Sequence, residues 1–245
     1  MVSKLMLHCG ASLIDRAALD SIEPPPPTET WFPLKHSAVL DRVGNTLVDS
    51  GYEIERESLA VAQDGQRFFA TLDLRTSIMD GIALVVGVRN STDKSMPIGF
   101  AAGERVFVCD NLAFSSEVVI ARKHTRFGEH RFNEAVSNAV VGLRQYETVS
   151  RTRIDRLRHY DLSEDAANSY LLQAAEHGVV GWRLLPKVIQ EYRHPRHEEF
   201  VPRTAWSLFN SFTEVLKDRQ RSQPARAAAE TIRLQRLLLP QPGGD

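Results

Sequence analysis

The chain has 245 residues, 42% of them hydrophobic, with 30 Lys and Arg against 31 Asp and Glu for a formal charge of −1. That length can bury a core as one large domain or two small ones, and 14 Gly and 12 Pro exclude collagen-like and wholly disordered chains. Two cysteines, Cys9 and Cys109, exclude a disulfide scaffold and a zinc site built from cysteine alone, while the charge balance excludes a global basic coat but permits a local basic face.

No run approaches the roughly 20 apolar residues that span a bilayer. The first apolar stretch is broken at His8 and soon meets Asp15, which makes a poor signal peptide. The expectation is a soluble, cytoplasmic protein without membrane contact.

The tract Pro24-Pro25-Pro26-Pro27 forbids helix and favours an extended spacer. Residues 1–33 therefore read as an N-terminal arm with a polyproline spacer, or as a surface loop. Beyond it, Val39, Leu40, Val43, Leu47 and Val48 recur at helical spacing, with Gly51 as a stop. Tyr52–Arg56 alternates as a half-exposed strand does, Asp64-Gly65 marks a turn, and Arg67–Leu74 reads as a second strand. Gly81–Val88 is continuously apolar, as a central strand covered on both faces would be. Short connections between these runs suit an antiparallel meander.

Asn90, Ser91 and Asp93 sit in a loop-like stretch and predict side-chain-to-backbone turns; a phosphate or metal pocket is the functional alternative. Gly99–Gly103 reads as small and flexible, and Arg105–Cys109 and Val118–Ile120 as further strands. A helix is expected over about 131–158, with Phe132, Val136, Ala139, Val140, Leu143 and Tyr146 near one face. Ser163 and Gly178 bracket another, and Thr204 caps a third running to about Arg219. This last helix is apolar over so much of its circumference that it is either deeply buried or part of a subunit contact. The predicted fold class is α+β: an antiparallel β-meander packed on helices, with a mainly helical C-terminal part. The predicted divisions are an α+β core over 34–160, a helical part over 161–220 packed on it, and a flexible tail over 221–245.

Charge is uneven along the chain. Residues 1–80 carry 7 basic and 12 acidic side chains, whereas residues 122–159 carry 9 basic and 4 acidic ones. The basic stretch can supply phosphate contacts along a groove, with Phe127 or Tyr160 available for base stacking. A solvated helix face and a head-to-tail subunit contact are the competing explanations.

Motifs for chemistry are sparse. Gly99–Gly103 lacks the Gly-Lys-Ser/Thr ending of a phosphate loop and the dinucleotide glycine spacing, and there is no Gly-x-Ser-x-Gly elbow. Cys109, Asp110, His124 and His130 are metal-ligand types without a ligand spacing. Asp73, Asp80, Asp93 and Asp110 would serve a nuclease only if several met at one metal.

Arg89-Asn90-Ser91, Asp93-Lys94-Ser95, Gly103, Arg105–Leu112 and Lys123-His124-Thr125 together resemble a phage/plasmid-like family known only as a domain of unknown function. Phe200, Thr204–Leu208, Asn210 and Thr213-Glu214 resemble that family's C-terminal block. The resemblance implies a mobile-element context and carries no catalytic residue with it. More loosely, the order helix, three-strand meander, basic helix is similar to Rad52-like single-strand annealing proteins, which form rings holding single-stranded DNA; the analogy is one of fold.

The leading expectation is a mobile-element nucleic-acid-binding protein that uses no cofactor and no metal, binding or annealing single-stranded DNA as a homo-oligomer. Arg122, Lys123, Arg126, Arg131, Arg151 and Arg153 are its expected phosphate contacts, Lys94 and Arg105 line the groove from the sheet side, and Phe127 is the stacking ring. Two alternatives stay open: a metal-dependent nuclease or phosphotransferase using Asp93, Asp110 and His124, and a non-enzymatic partner or structural protein.

Overall fold

The structure, a computed structural model, describes the backbone of residues 11–106, 111–222 and 224–239, and their side chains except at 111–120, 218–222 and 224–229. Among these residues the fold is α+β, with a six-stranded antiparallel sheet in the order β1-β2-β3-β4-β5-β6. The strands are β1 (Ser12–Leu13), β2 (Ile54–Ala62), β3 (Arg67–Met79), β4 (Ile82–Ser91), β5 (Ile98–Val106) and β6 (Asn111–Arg122). The helices are α1 (Arg16–Asp20), α2 (His36–Asp49), α3 (Gly128–His159), α4 (Glu164–Glu176), α5 (Leu185–Arg193), α6 (Ala205–Ser222) and α7 (Pro224–Leu238). The chain divides into two compact units, Met1–Glu104 with Phe114–Glu147 and Arg105–Ala113 with Thr148–Asp245.

The first unit is built around the meander. The β2–β3 turn is tight because Gln63, Asp64 and Gly65 all take positive φ, and Gly81 at φ 78° turns β3 into β4. Strand β4 lies between β3 and β5, and Ile82–Val86 is buried throughout, as the unbroken apolar run demands. Helix α2 lays Val39, Leu40, Val43 and Leu47 into the core and leaves Val48 exposed. On α3, Phe132, Val136, Val140, Leu143 and Tyr146 are buried along one face, with the Tyr146 hydroxyl donating to Glu104 Oε1 at 3.0 Å.

Two sequence expectations change here. The N-terminal segment, from residue 11 on, is docked: β1 pairs with β2, the Asp15 carboxylate caps α1, and Leu19 is fully buried. Gly99–Gly103 is strand. The glycine at 99 is there because Arg89 fills the space beside it, so that a Cβ would lie 2.7 Å from the Arg89 Nε.

In the second unit Ser163 caps α4 by accepting from the Ala166 amide, and Gly178 ends it at φ 66°. Thr204 caps α6, whose Trp206, Leu208, Phe209, Phe212 and Leu216 are all buried. Deep burial thus accounts for the apolar girth of α6 within one chain. Asn210 and Thr213 donate to carbonyls of their own helix, and Glu214 pairs with Arg196 at 3.1 Å and with Lys217. The segment expected as a flexible tail contains α7, which buries Leu234 and Leu238 and packs against α6 and α4.

Candidate nucleic-acid interface

The basic residues near 122–131 occupy the connection between β6 and α3, and the backbone of that connection is closely specified. The Thr125 amide donates to the Lys123 carbonyl at 2.9 Å, and the Gly128 amide donates to the Thr125 carbonyl at 2.7 Å. The Arg131 amide then begins the helical ladder by donating to Phe127 at 3.1 Å. This tight turn pushes Arg122, Lys123, Arg126, Phe127 and Arg131 outward while His124 and Gly128 point inward and are buried. Four cations face a single carboxylate, Glu129, between positions 122 and 131. Among the described residues none of the four makes an ion pair; Arg122 donates only to the adjacent Ala121 carbonyl. Phe127 is 65% exposed, so a large ring stands in water amid these charges.

His124 anchors the turn from below. The Phe32 amide donates to its carbonyl at 3.0 Å, and its ring lies 6.3 Å from that of Trp31. Neither ring nitrogen of His124 meets the geometry of a hydrogen bond among the described residues. Burial lowers its pKa, the Phe32 backbone acts against this, and His36 adds to the lowering. Trp31 in turn carries Lys94, whose Nζ sits 5.0 Å from the ring centroid. Lys94 takes a left-handed backbone, φ 65°, which is uncommon for a side chain with a Cβ. The loop around it makes that conformation: Asp93 accepts from the Ser95 amide at 2.9 Å, and Ser91 Oγ both donates to the Met96 carbonyl and accepts from the Met96 amide. Burial works to raise the pKa of Asp93, yet hydrogen bonds from Ser95 and the Arg67 guanidinium at 2.6 Å bring it down to about 2. Lys94 is thereby brought to the Arg122–Arg131 turn through Trp31 and His124.

A second buried polar group underlies the same region. The Asn90 amide donates both its protons, to the Leu34 carbonyl at 2.8 Å and to His36 Nδ1 at 3.0 Å. His36 Nδ1 is therefore an acceptor, and its Nε2 donates to the Gly65 carbonyl at 2.8 Å, the pattern of a neutral imidazole. Burial lowers the His36 pKa, with the Gly65 bond acting against it. Asn90 belongs to β4 rather than to a loop, and spends its side chain on α2 and on the segment leading into it.

Three predicted contacts are placed elsewhere. Arg105 is 1% exposed and Arg153 is 7% exposed, so neither can line a solvent-open groove in this conformation. A buried guanidinium in a β-strand and one on the inward side of a helix look the same in sequence as exposed ones. Arg153 donates to Ser150 Oγ at 2.9 Å. Arg151 is exposed, but it belongs with Arg153 to the second unit rather than to the turn. For the nuclease alternative, Asp93 is committed to Arg67 and Ser95, and Asp110, like Cys109, lies outside the described residues. Among the described residues no three His, Cys, Asp or Glu side chains converge in a way that could hold a metal ion, and no helix is long and apolar enough to cross a membrane. Sequence reasoning missed Trp31 and the role of His124; the pairing of Trp31 with Lys94 spans 63 residues of chain and leaves no local signal.

A family profile described as Domain of unknown function (DUF932) matches residues 27–239, most of the chain, and the protein belongs to that family. No curated protein and no solved structure shows significant similarity to the chain.

Proposed function

We propose that this DUF932 member binds nucleic acid, preferentially single-stranded DNA, through the exposed turn between β6 and α3. One observation carries the reading: Arg122, Lys123, Arg126 and Arg131 are exposed on the same turn as the exposed Phe127, Lys94 lies over Trp31 beside His124 of that turn, and the four turn cations are unpaired among the described residues. Cations held by carboxylates contribute little to an anion, whereas unpaired ones displace condensed counterions from a phosphodiester backbone. The exposed phenyl ring favours a single strand, since an unpaired base offers a face on which it can stack and a duplex does not. Neither the cations nor the ring requires a cofactor. The phage/plasmid-like resemblance supplies a mobile-element context, and the order of helix, three-strand meander and basic helix, similar to that of Rad52-like annealing proteins, supports annealing or protection of single strands as a homo-oligomer.

Fluorescence anisotropy with a 20-nucleotide single strand and its duplex, at two ionic strengths, tests this reading. Tighter binding of the single strand, weakening steeply with salt, is the expected result. Failure to bind either oligonucleotide at low salt would overturn it, and light scattering with and without the oligonucleotide reports the assembly.

A further inference from the structure

The second unit carries another exposed aromatic ring set among cations. The connection between α4 and α5 is firmly seated: Val179 and Val180 are fully buried, and both their amides donate to the Ala174 carbonyl, at 2.8 and 3.3 Å. The Leu184 amide closes a turn onto the Gly181 carbonyl at 2.8 Å. Between these fixed points Trp182 is 59% exposed, and Arg183 and Lys187 beside it are exposed too. A third cation reaches the same loop from α7, for a Cβ on Gly178 would lie 3.8 Å from an Arg233 guanidinium nitrogen. Among the described residues none of Arg183, Lys187 and Arg233 makes an ion pair. Glu176 and His177 are the other ionisable side chains exposed on this loop.

A single exposed indole is ordinary on a protein surface. An indole held out by a pinned loop, with Arg183 adjacent in the chain, Lys187 at the start of α5 and Arg233 against Gly178 at the loop's other end, none of them in an ion pair among the described residues, has the two elements of single-strand recognition: a ring for a base and charges for the flanking phosphates. We infer that Trp182 is a second stacking platform for an unpaired nucleobase, with Arg183, Lys187 and Arg233 holding the adjoining phosphodiesters. The inference rests on the nucleic-acid reading above, and names a subsite that the 122–159 charge cluster does not include.

Trp182 supplies its own reporter, because of the three tryptophans in the chain Trp206 is buried and Trp31 is half-buried. Tryptophan emission and its quenching by acrylamide are measured with dT20, rU20 and a 20-base-pair duplex, for the wild type and for W182F and W182A. The wild type is expected to lose emission and acrylamide access on adding either single strand, while the duplex leaves both nearly unchanged. W182A is expected to bind dT20 about tenfold more weakly with an unaltered salt slope, and W182F to stay within about threefold of wild type because a ring remains. R183A/K187A is expected instead to flatten the slope of log K against log salt by about one to two. If dT20 binds the wild type and the R122A/K123A/R126A variant weakens it while W182A and acrylamide access do not respond, the second platform falls and the first reading stands. If no oligonucleotide binds the wild type, both fall. Loss of self-association in W182A with dT20 affinity intact would overturn the inference in favour of a protein contact.

Discussion

Gly128 opens α3 directly against the carbonyl of Lys123: a Cβ at position 128 would lie 2.6 Å from that oxygen. The contact is with backbone, so no side-chain rotation relieves it. Gly142, farther along the same helix, has nothing within 4 Å of the place its Cβ would take. The two glycines should respond oppositely to the same substitution. G128A is expected to destabilise the fold by about 1–3 kcal/mol through overpacking and to shift the basic turn. G142A should stabilise it by about 0.5–1 kcal/mol by removing glycine from a helix interior. Thermal denaturation of the pair checks this, and oligonucleotide affinity should fall for G128A alone.

The unpaired state of the turn cations fixes a salt dependence. Each phosphate neutralised on a single strand adds about 0.7 to the slope of log K against log salt. R122A/K123A/R126A should therefore flatten that slope by about two, whichever oligonucleotide sequence is used, because phosphate contacts carry no base information. A change confined to one sequence, with the slope kept, would contradict the assignment. R105A and R153A should leave the slope unchanged and lower thermal stability instead, since both guanidinium groups are buried.

Asn90 offers a test of the buried scaffold beneath the turn. Both its amide protons are used, on Leu34 and on His36, and N90A leaves a half-buried carbonyl and a buried imidazole nitrogen without those donors. The expected cost is about 1–3 kcal/mol. Urea denaturation should show a lower midpoint with an unchanged m-value.

The meander, α2 and the helix starts at Ser163 and Thr204 were legible in the sequence because their signals are local: apolar periods of two or 3.6, turn glycines, capping hydroxyls. Gly99–Gly103 was misread because the glycine at its start answers to the Arg89 side chain on the next strand, which leaves no local signal. The N-terminal arm and α7 were misread for a related reason. Leu19 is the one large apolar residue in a five-residue helix, and α7 follows an Ala- and Arg-rich start with only the short apolar set of Ile232, Leu234, Leu237 and Leu238. At the site, clustering of charge in sequence pointed to a turn whose cations are exposed. It could not tell Arg122 and Arg126 from Arg105 and Arg153, since exposure depends on what covers each strand and helix face. Trp31 and His124 became visible only once the fold brought positions 31, 94 and 124 together.

His36 and His124 together predict how the protein responds to acid. Both pKa values are lowered in the fold, first by burial, below the ordinary 6.5 that applies in the unfolded chain. The unfolded state therefore takes up protons before the folded one does, and stability must fall as pH drops through and below about 6.5 while staying level above it. For His36 the physical event is specific: a proton on Nδ1 ends its acceptance from Asn90. For His124 it places a charge in a site where neither ring nitrogen has a hydrogen-bonding partner among the described residues, next to Trp31, which already carries Lys94. Thermal midpoints measured from pH 7.5 to 5.0 should decline on the acid side for the wild type. H124F, which keeps an aromatic ring beside Trp31, should decline less over the same range. An H124F profile parallel to that of the wild type would assign the acid sensitivity to His36 alone, and a flat wild-type profile would show that neither ring is held neutral by burial.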